Sequence, residues 1–488
     1  MTLAAIVLAA TFARPLERVS TLDPVMERSA FDMRASSLVY EPMLAIDYKA
    51  RPYRMIPGAC EMPEVGADGL TYRFRLRSPE LTATDVICTL EKMRDPANAS
   101  PNAFIVKNVA SMTAPDSRTL VIRLKEPQYV FPWMLTHANI ARADGSGTGP
   151  FELVLWRKNH EMVFRRRART AGVEKPFDVV RYLTIDDMST QWLMFLKGEV
   201  DMLGDISRDN WDSVVGPDGR LLPSLAAQGV TLHETAILDS TYLGLNMADP
   251  VLGRNRKLRQ ALNCAFDFPA WKRFYNGRVE RSDGPVPFGV AGRLETPFAY
   301  AYDLEKARRL LAEAGYPGGT DPATGRRLSL TLTIGRPDQG SRESGELIAS
   351  FYERIGVRIE LEFKTWDAYM KALNERRVQM FLLCWVGDYP DAENYMQLFH
   401  SSNVSPGPNH VNYVNPEFDR EYEAAMAATG EDARRAHWFR CQEIVREDCP
   451  WVFTDYPKAC ALVRRRVGNF DLGAFPYGNE QFYEVRDE

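Results

Sequence analysis

Between residues 303 and 386 the apolar positions follow two periods in turn. In 304–314, Leu304, Ala307, Leu310, Leu311 and Ala314 recur three or four apart and mark one face of a helix. Asp303 stands where a capping carboxylate takes the first free N–H groups, and Gly315 with Pro317 ends the run. In 328–334 the period drops to two, with Leu328, Leu330, Leu332 and Ile334 on one side, as in a half-buried strand. A helical stretch over 343–354 is stopped by Gly356, and a second alternating run covers 357–363. A short helix at 367–375 then leads into the apolar strand 380–386. Helices of that length between strands imply crossover connections and a largely parallel sheet.

The earlier part of the chain repeats the theme on a smaller scale. Strand-like runs at 70–77 and 119–124 bracket a helical stretch at 82–93, so 46–148 reads as a small α/β unit of its own. The Gly-rich segment 145–150 does not fit a nucleotide-binding loop and reads as a turn entering a strand at 151–155. Asp186 and Asp187 read as a helix-capping start to the run that follows them. The stretch 431–447 is a helix that must end before Pro450. No internal repeat and no low-complexity tract interrupts this α/β pattern.

Composition narrows the class. A chain of 488 residues exceeds a single core, and at roughly 150 residues per domain it holds about three folded units. A net charge of −5 argues against a nucleic-acid partner. Two basic runs, Arg165-Arg166-Arg167 with Arg169 and Arg464-Arg465-Arg466, lack interleaved aromatics and read as solvated surface. The only long uncharged apolar stretch, 2–13, is shorter than the ~20 residues that span a bilayer. It reads as the apolar core of an export signal ending near Ala13, which places the protein in the periplasm or outside the cell; a buried first strand is the competing reading. The seven cysteines do not form a disulfide scaffold. Cys88, Cys264 and Cys384 sit in apolar segments and are expected as buried thiols, while a disulfide among Cys441, Cys449 and Cys460 is left open.

Catalytic chemistry finds no foothold in the motifs. The six histidines form no HExxH pair, and there is no CxxC, no GxxxxGK[ST] and no GxSxG. No metal, no cofactor and no enzyme activity is therefore expected. One carboxylate group is placed differently: Asp388, Asp391 and Glu393 follow the carboxyl end of the 380–386 strand. Open α/β sheets bind ligands outside those ends. Asp388, between Trp385 and Tyr389, is suited to hold a cationic group against an aromatic wall. The competing reading, a loop carboxylate that caps the next helix, applies more strongly to Asp391 and Glu393.

Several stretches, in order, resemble the family-5 extracellular solute-binding proteins, the oligopeptide-, dipeptide- and nickel-binding group of ABC importers. Thr21-Leu22-Asp23-Pro24 and Leu38-Val39-Tyr40-Glu41-Pro42 are similar to the family's opening, and Asp68-Gly69-Leu70-Thr71-Tyr72 and Thr82-Ala83-Thr84-Asp85-Val86 to the segments that follow. Gly147-Thr148-Gly149-Pro150-Phe151, Lys197-Gly198-Glu199-Val200-Asp201 and Leu258-Arg259-Gln260-Ala261-Leu262-Asn263 continue the series. The run from Tyr302-Asp303-Leu304-Glu305-Lys306-Ala307 to Glu313-Ala314-Gly315-Tyr316-Pro317 resembles the family pattern almost residue for residue, and Trp385-Val386-Gly387-Asp388-Tyr389-Pro390-Asp391 closes it. Two departures stand out: Ser78-Pro79-Glu80-Leu81 replaces a longer loop, and Ala392 stands where proline is usual.

The resemblance implies an α/β, periplasmic binding protein type II-like fold with two lobes joined by a hinge and an extra small α/β subdomain in the first lobe. On that pattern 14–45, 149–240 and 450–488 form lobe I, 46–148 its extra subdomain, 241–449 lobe II, and 1–13 a signal segment. It implies a monomeric binding component that captures a small solute, a peptide above all, and delivers it to ABC transporter permease subunits. By the same resemblance Asp388 stands where peptide-binding relatives carry the Asp that pairs with the ligand's α-amino group. A nickel chelate, an oligosaccharide, an opine-like solute or a sensory role are the alternatives on the same fold, with a periplasmic hydrolase the remotest.

Overall fold

The computed structural model describes residues 10–486 apart from 48, 52, 168–172, 205, 217–218, 429 and 474–478. The chain forms two compact units, Met1–Thr235 with Ala459–Glu488, and Ala236–Lys458. It therefore passes from one unit to the other twice.

In the first unit the strand Thr11–Leu16 runs parallel to Val179–Thr184, which continues antiparallel to Glu161–Arg166 and Phe151–Arg157. Phe12 is fully buried, and Thr11 to Ala13 pair in register with Val179 to Arg181, the arrangement that the reading of a buried first strand describes. Residues 1–9 of that expected signal segment lie outside the described residues. The strand is fastened from the side: Asp201 accepts the Ala13 N–H at 2.8 Å and the Arg466 guanidinium at 2.6 Å. That cross-link gives Lys197-Gly198-Glu199-Val200-Asp201 a structural purpose, a carboxylate that joins the first strand to the turn after Trp451–Arg464.

The two arginine runs are also structural, not freely solvated. Arg165 donates to Glu152 at 2.7 Å, Arg166 to the Phe177 carbonyl at 2.7 Å and Arg167 to the Gly147 carbonyl at 2.6 Å. Arg465 reaches the Ala226 carbonyl and Arg466 the Thr11 carbonyl. A planar guanidinium suits this work because its five donors satisfy carbonyls that no strand neighbour can reach. Arg169 lies outside the described residues.

A second sheet in this unit, of strands 64–65, 71–75, 119–124 and 109–116, is antiparallel throughout. The helix Ala83–Arg94 begins with a capping box in which Thr82 and Asp85 satisfy each other's backbone N–H groups. Phe74, Leu90, Leu120 and Ile122 form a core with residues drawn only from the first part of the chain. The Gly-rich segment is a turn: a Cβ on Gly147 would lie 1.9 Å from the Val39 carbonyl oxygen, so glycine is required by close backbone approach.

In the second unit the strands lie in the order 451–458 (the part of Trp451–Arg464 that belongs to this unit), 239–245, 380–386, 329–334 and 358–363. Ser329–Ile334 is parallel to Arg358–Phe363 and to Met380–Val386, as crossover helices require. The pairs of 239–245 with 380–386 and with Trp451–Arg464 are antiparallel, so the sheet is mixed and not largely parallel. Both antiparallel pairs join segments far apart in sequence, which no crossover helix constrains. Asp303 caps Leu304–Glu313 by accepting the Lys306 N–H at 2.9 Å. Leu243, Leu332, Ile334, Met380 and Ile348 build the core between this sheet and its helices. On the opposite face Trp451 stacks on Tyr242, with ring centroids 3.5 Å apart and planes 4° from parallel.

None of the seven cysteines is joined in a disulfide. Cys441 and Cys449 stand at a helix interior and its C-cap, eight residues or roughly 12 Å of helix apart, beyond the reach of a disulfide. Cys264 is buried as expected, Cys88 is half-buried, and Cys384 is exposed.

Trp451 is fully buried against Tyr242 and Phe399. Trp451→Ala should lower unfolding free energy by about 3–5 kcal/mol. Urea melts of the purified variant, with the slope unchanged, check this.

Candidate ligand site

The strand Met380–Val386 is paired unequally on its two edges. Against 239–245 it is matched over its full length, from Leu245↔Met380 to Asp239↔Val386. Against 329–334 the register stops at Ile334↔Leu382. Main-chain groups of successive strand residues point to alternate edges. The Gly387 N–H donates to the Leu238 carbonyl, so odd-numbered residues face the 239–245 strand. The Leu382 carbonyl accepts from the Tyr369 hydroxyl at 2.7 Å, so even-numbered residues face the other way. Cys384 and Val386 thus present their N–H and C=O groups on an edge that the 329–334 strand does not cover. Val386 is 60% exposed, in keeping with that position.

Directly beyond this edge lies the loop that carries the expected site residues. Asn394, fully buried on the helix Glu393–Met396, organises it. Its Oδ1 accepts the Trp385 indole N–H at 2.9 Å and the Asp388 backbone N–H at 3.1 Å. Its Nδ2 donates to Asp388 Oδ2 at 3.2 Å. Trp385 is half-buried and Asp388 is exposed, so one amide fixes both the aromatic ring and the carboxylate at the strand end. Gly387 between them has no room for a side chain, because a Cβ would meet the Tyr395 hydroxyl at 2.3 Å. That hydroxyl donates to the Leu238 carbonyl at 2.7 Å and pins the loop to the neighbouring strand.

Tyr389 is placed otherwise than an exposed aromatic wall requires. Its side chain is 3% exposed and its hydroxyl donates to the Glu393 carboxylate, so it supports the loop from within. Glu393 also accepts from Tyr422 at 2.6 Å. Asp391 accepts the Glu393 N–H at 2.9 Å, the helix-capping role that was its competing reading.

Carboxyl groups dominate this end of the sheet. Burial pushes the Glu393 carboxyl up to about 7, against the two tyrosine hydroxyls that favour its ionised form and with Asp391 and Asp388 adding repulsion. Burial likewise raises Asp239 to about 6, although the Gly387 backbone favours its anion. Asp455, which accepts the Trp271 indole N–H at 2.6 Å, is raised by burial to about 6. A site so furnished favours a positively charged group. Among the described residues no group of three or more His, Cys, Asp and Glu is placed to hold a metal ion. Asn394, Tyr369 and Asp239 were not singled out from sequence; only the short spacing from Asp388 to Asn394 could have drawn attention to the first.

The raised carboxyls bear on stability. The folded state holds the Glu393 proton more tightly than the unfolded chain, so the stabilisation is present below the ordinary carboxyl pKa of 4.5 and is lost as pH rises towards about 7. Asp239 and Asp455 act in the same direction. Glu393→Gln should flatten this loss by on the order of 3 kcal/mol. Urea midpoints measured across that range check it, and an unchanged slope would exclude Glu393 as the cause.

The sequence profile of the bacterial extracellular solute-binding proteins, family 5 Middle, matches residues 54–407. Heme-binding protein A of Haemophilus influenzae is 24% identical over 92% of this chain and 87% of its own length. The probable di/tripeptide-binding protein 5 of Pseudomonas aeruginosa is 23% identical over 90% of this chain and 88% of its own. In structure, the ABC transporter-associated periplasmic binding protein DppA from Helicobacter pylori, in complex with the peptide STSA, superposes with a TM-score of 0.75. It is 22% identical, and the match covers 97% of each chain. No helix among the described residues is long and apolar enough to cross a membrane. With its profile match across most of its length and its fold shared with such receptors, the chain belongs to the bacterial extracellular solute-binding proteins of family 5.

Proposed function

We propose that this protein is the periplasmic, monomeric substrate-binding component of an ABC importer and that its solute is a short peptide held by its main chain and its amino terminus. The observation that carries the peptide reading is the uncovered edge at Cys384 and Val386 beside the Asp388 carboxylate. An extended peptide adds to such an edge as one more strand, through hydrogen bonds that every peptide can make. Its amino group then meets Asp388, whose orientation Asn394 fixes in advance. A charge-assisted bond of this kind is the strong, orienting contact of the site.

Trp385 and Asp388 are the ligand residues of this reading, and Tyr389 supports them from beneath. The role is binding and not catalysis: the relatives carry the names of binding proteins, among them a probable di/tripeptide-binding protein. Delivery to a membrane permease follows from the importer assignment.

Two variants test the two halves of the recognition. Asp388→Asn keeps the bonds to Asn394 but removes the charge, and should weaken binding of a tripeptide with a free amino terminus by about 100-fold or more. N-acetylated peptide should bind both proteins equally weakly. Val386→Pro deletes the N–H on the uncovered edge, a position where proline is tolerated in a strand. It should cost about tenfold in affinity, or ~1.4 kcal/mol, at unchanged melting temperature. Titration calorimetry reads both, and unaltered affinity in Asp388→Asn would end the assignment of that carboxylate.

A further inference from the structure

The uncovered edge has two ends, and both lie within the second unit. At one end stands the Asp388 carboxylate. At the other, the next even-numbered carbonyl, that of Leu382, is already taken by the Tyr369 hydroxyl at 2.7 Å. Tyr369 is fully buried, on the helix Trp366–Asn374. Its ring lies against Gly335, where a Cβ would come 2.5 Å from it. Gly335 follows the last residue of the strand 329–334, whose Ile334 is already in register with Leu382.

A peptide that places its amino group at Asp388 must run back along the strand, antiparallel to 380–386. It then occupies the line that the 329–334 strand would follow if it continued past Ile334. The stretch from Leu382 to Val386 spans roughly 13 Å at about 3.3 Å per residue. Residues opposite Val386, Trp385 and Cys384 fit in it. The residue after those meets the Tyr369 hydroxyl, a carbonyl that cannot accept again in the same direction, and the chain at Gly335.

We propose that Tyr369, together with the strand end at Ile334 and Gly335, is a length stop that restricts the solute to two or three residues. This inference rests on the peptide reading above and adds to it a specificity residue that touches no reactive atom. The hydroxyl acts by withholding the Leu382 carbonyl. Without the hydroxyl, the carbonyl would be offered to one further ligand N–H.

The test is titration calorimetry of the full chain with alanine peptides of two to six residues, each with a free amino terminus. For the natural protein, affinity should fall at least tenfold between the tripeptide and the tetrapeptide. In Tyr369→Phe that step should shrink to threefold or less while the dipeptide binds as before. Circular dichroism melts show whether the variant is folded, and the length profile of the natural protein decides the matter even where it is not. Tetra- to hexapeptides binding the natural protein as tightly as the tripeptide would overturn the length stop and leave the peptide reading standing. An undiminished step in a folded Tyr369→Phe protein would overturn the role of the hydroxyl. Failure of every peptide to bind would overturn the peptide reading itself, and the length stop with it.

Discussion

The constraint on which the site depends is main-chain satisfaction along the strand Met380–Val386. A strand has donors and acceptors on two edges, and both sets need partners. The 239–245 strand supplies one edge completely, whereas 329–334 supplies the other only as far as Leu382. Tyr369 answers the Leu382 carbonyl, and beyond it the edge lies past the end of its neighbouring strand. The proposed recognition surface is therefore a consequence of how far one strand extends, and not of any special residue in the strand itself.

Around that edge the fold uses neutral amides and hydroxyls to position charge. Asn394 holds the indole of Trp385 and both the N–H and the carboxylate of Asp388. Glu393 lies below, between Tyr389 and Tyr422, and burial keeps its proton tightly held. The exposed carboxylate thus stands on a buried one that is easily neutralised, which limits repulsion between them at neutral pH. Asp391 is spent on the helix start. Of four neighbouring acids in sequence and space, the structure leaves Asp388 the exposed one.

Much of the architecture is legible locally. The runs 328–334, 357–363 and 380–386 form strands, and 304–314, 343–354 and 431–447 form helices, with ends shifted by only a few residues in most cases. Alternation and three-to-four spacing are properties of neighbouring residues, and so are the caps at Asp303, Thr82 and Asp187. The mixed character of the sheet was not legible, because 239–245 and 451–464 reach their places through contacts distant in sequence. Cys384 illustrates the same limit: an apolar context suggests burial, yet it stands exposed at the uncovered end of its strand. The arginine runs misled for a related reason. Their partners, the carbonyls of Phe177, Gly147 and Ala226 and the carboxylate of Asp201, are invisible in the local pattern.

By itself the sequence determined which segments are strands and helices, and the order of motifs that marks the family. It also placed Asp388 and Trp385 at a strand's carboxyl end, because side-chain chemistry and periodicity are written in adjacent residues. The tertiary structure alone decided where pairing stops, that Tyr389 turns inward while Asp388 stays exposed, that Asn394 holds Trp385 and Asp388, and that Tyr369 takes the Leu382 carbonyl. Those outcomes depend on which distant strand or helix arrives beside a given backbone group, and a linear pattern carries no record of that distance.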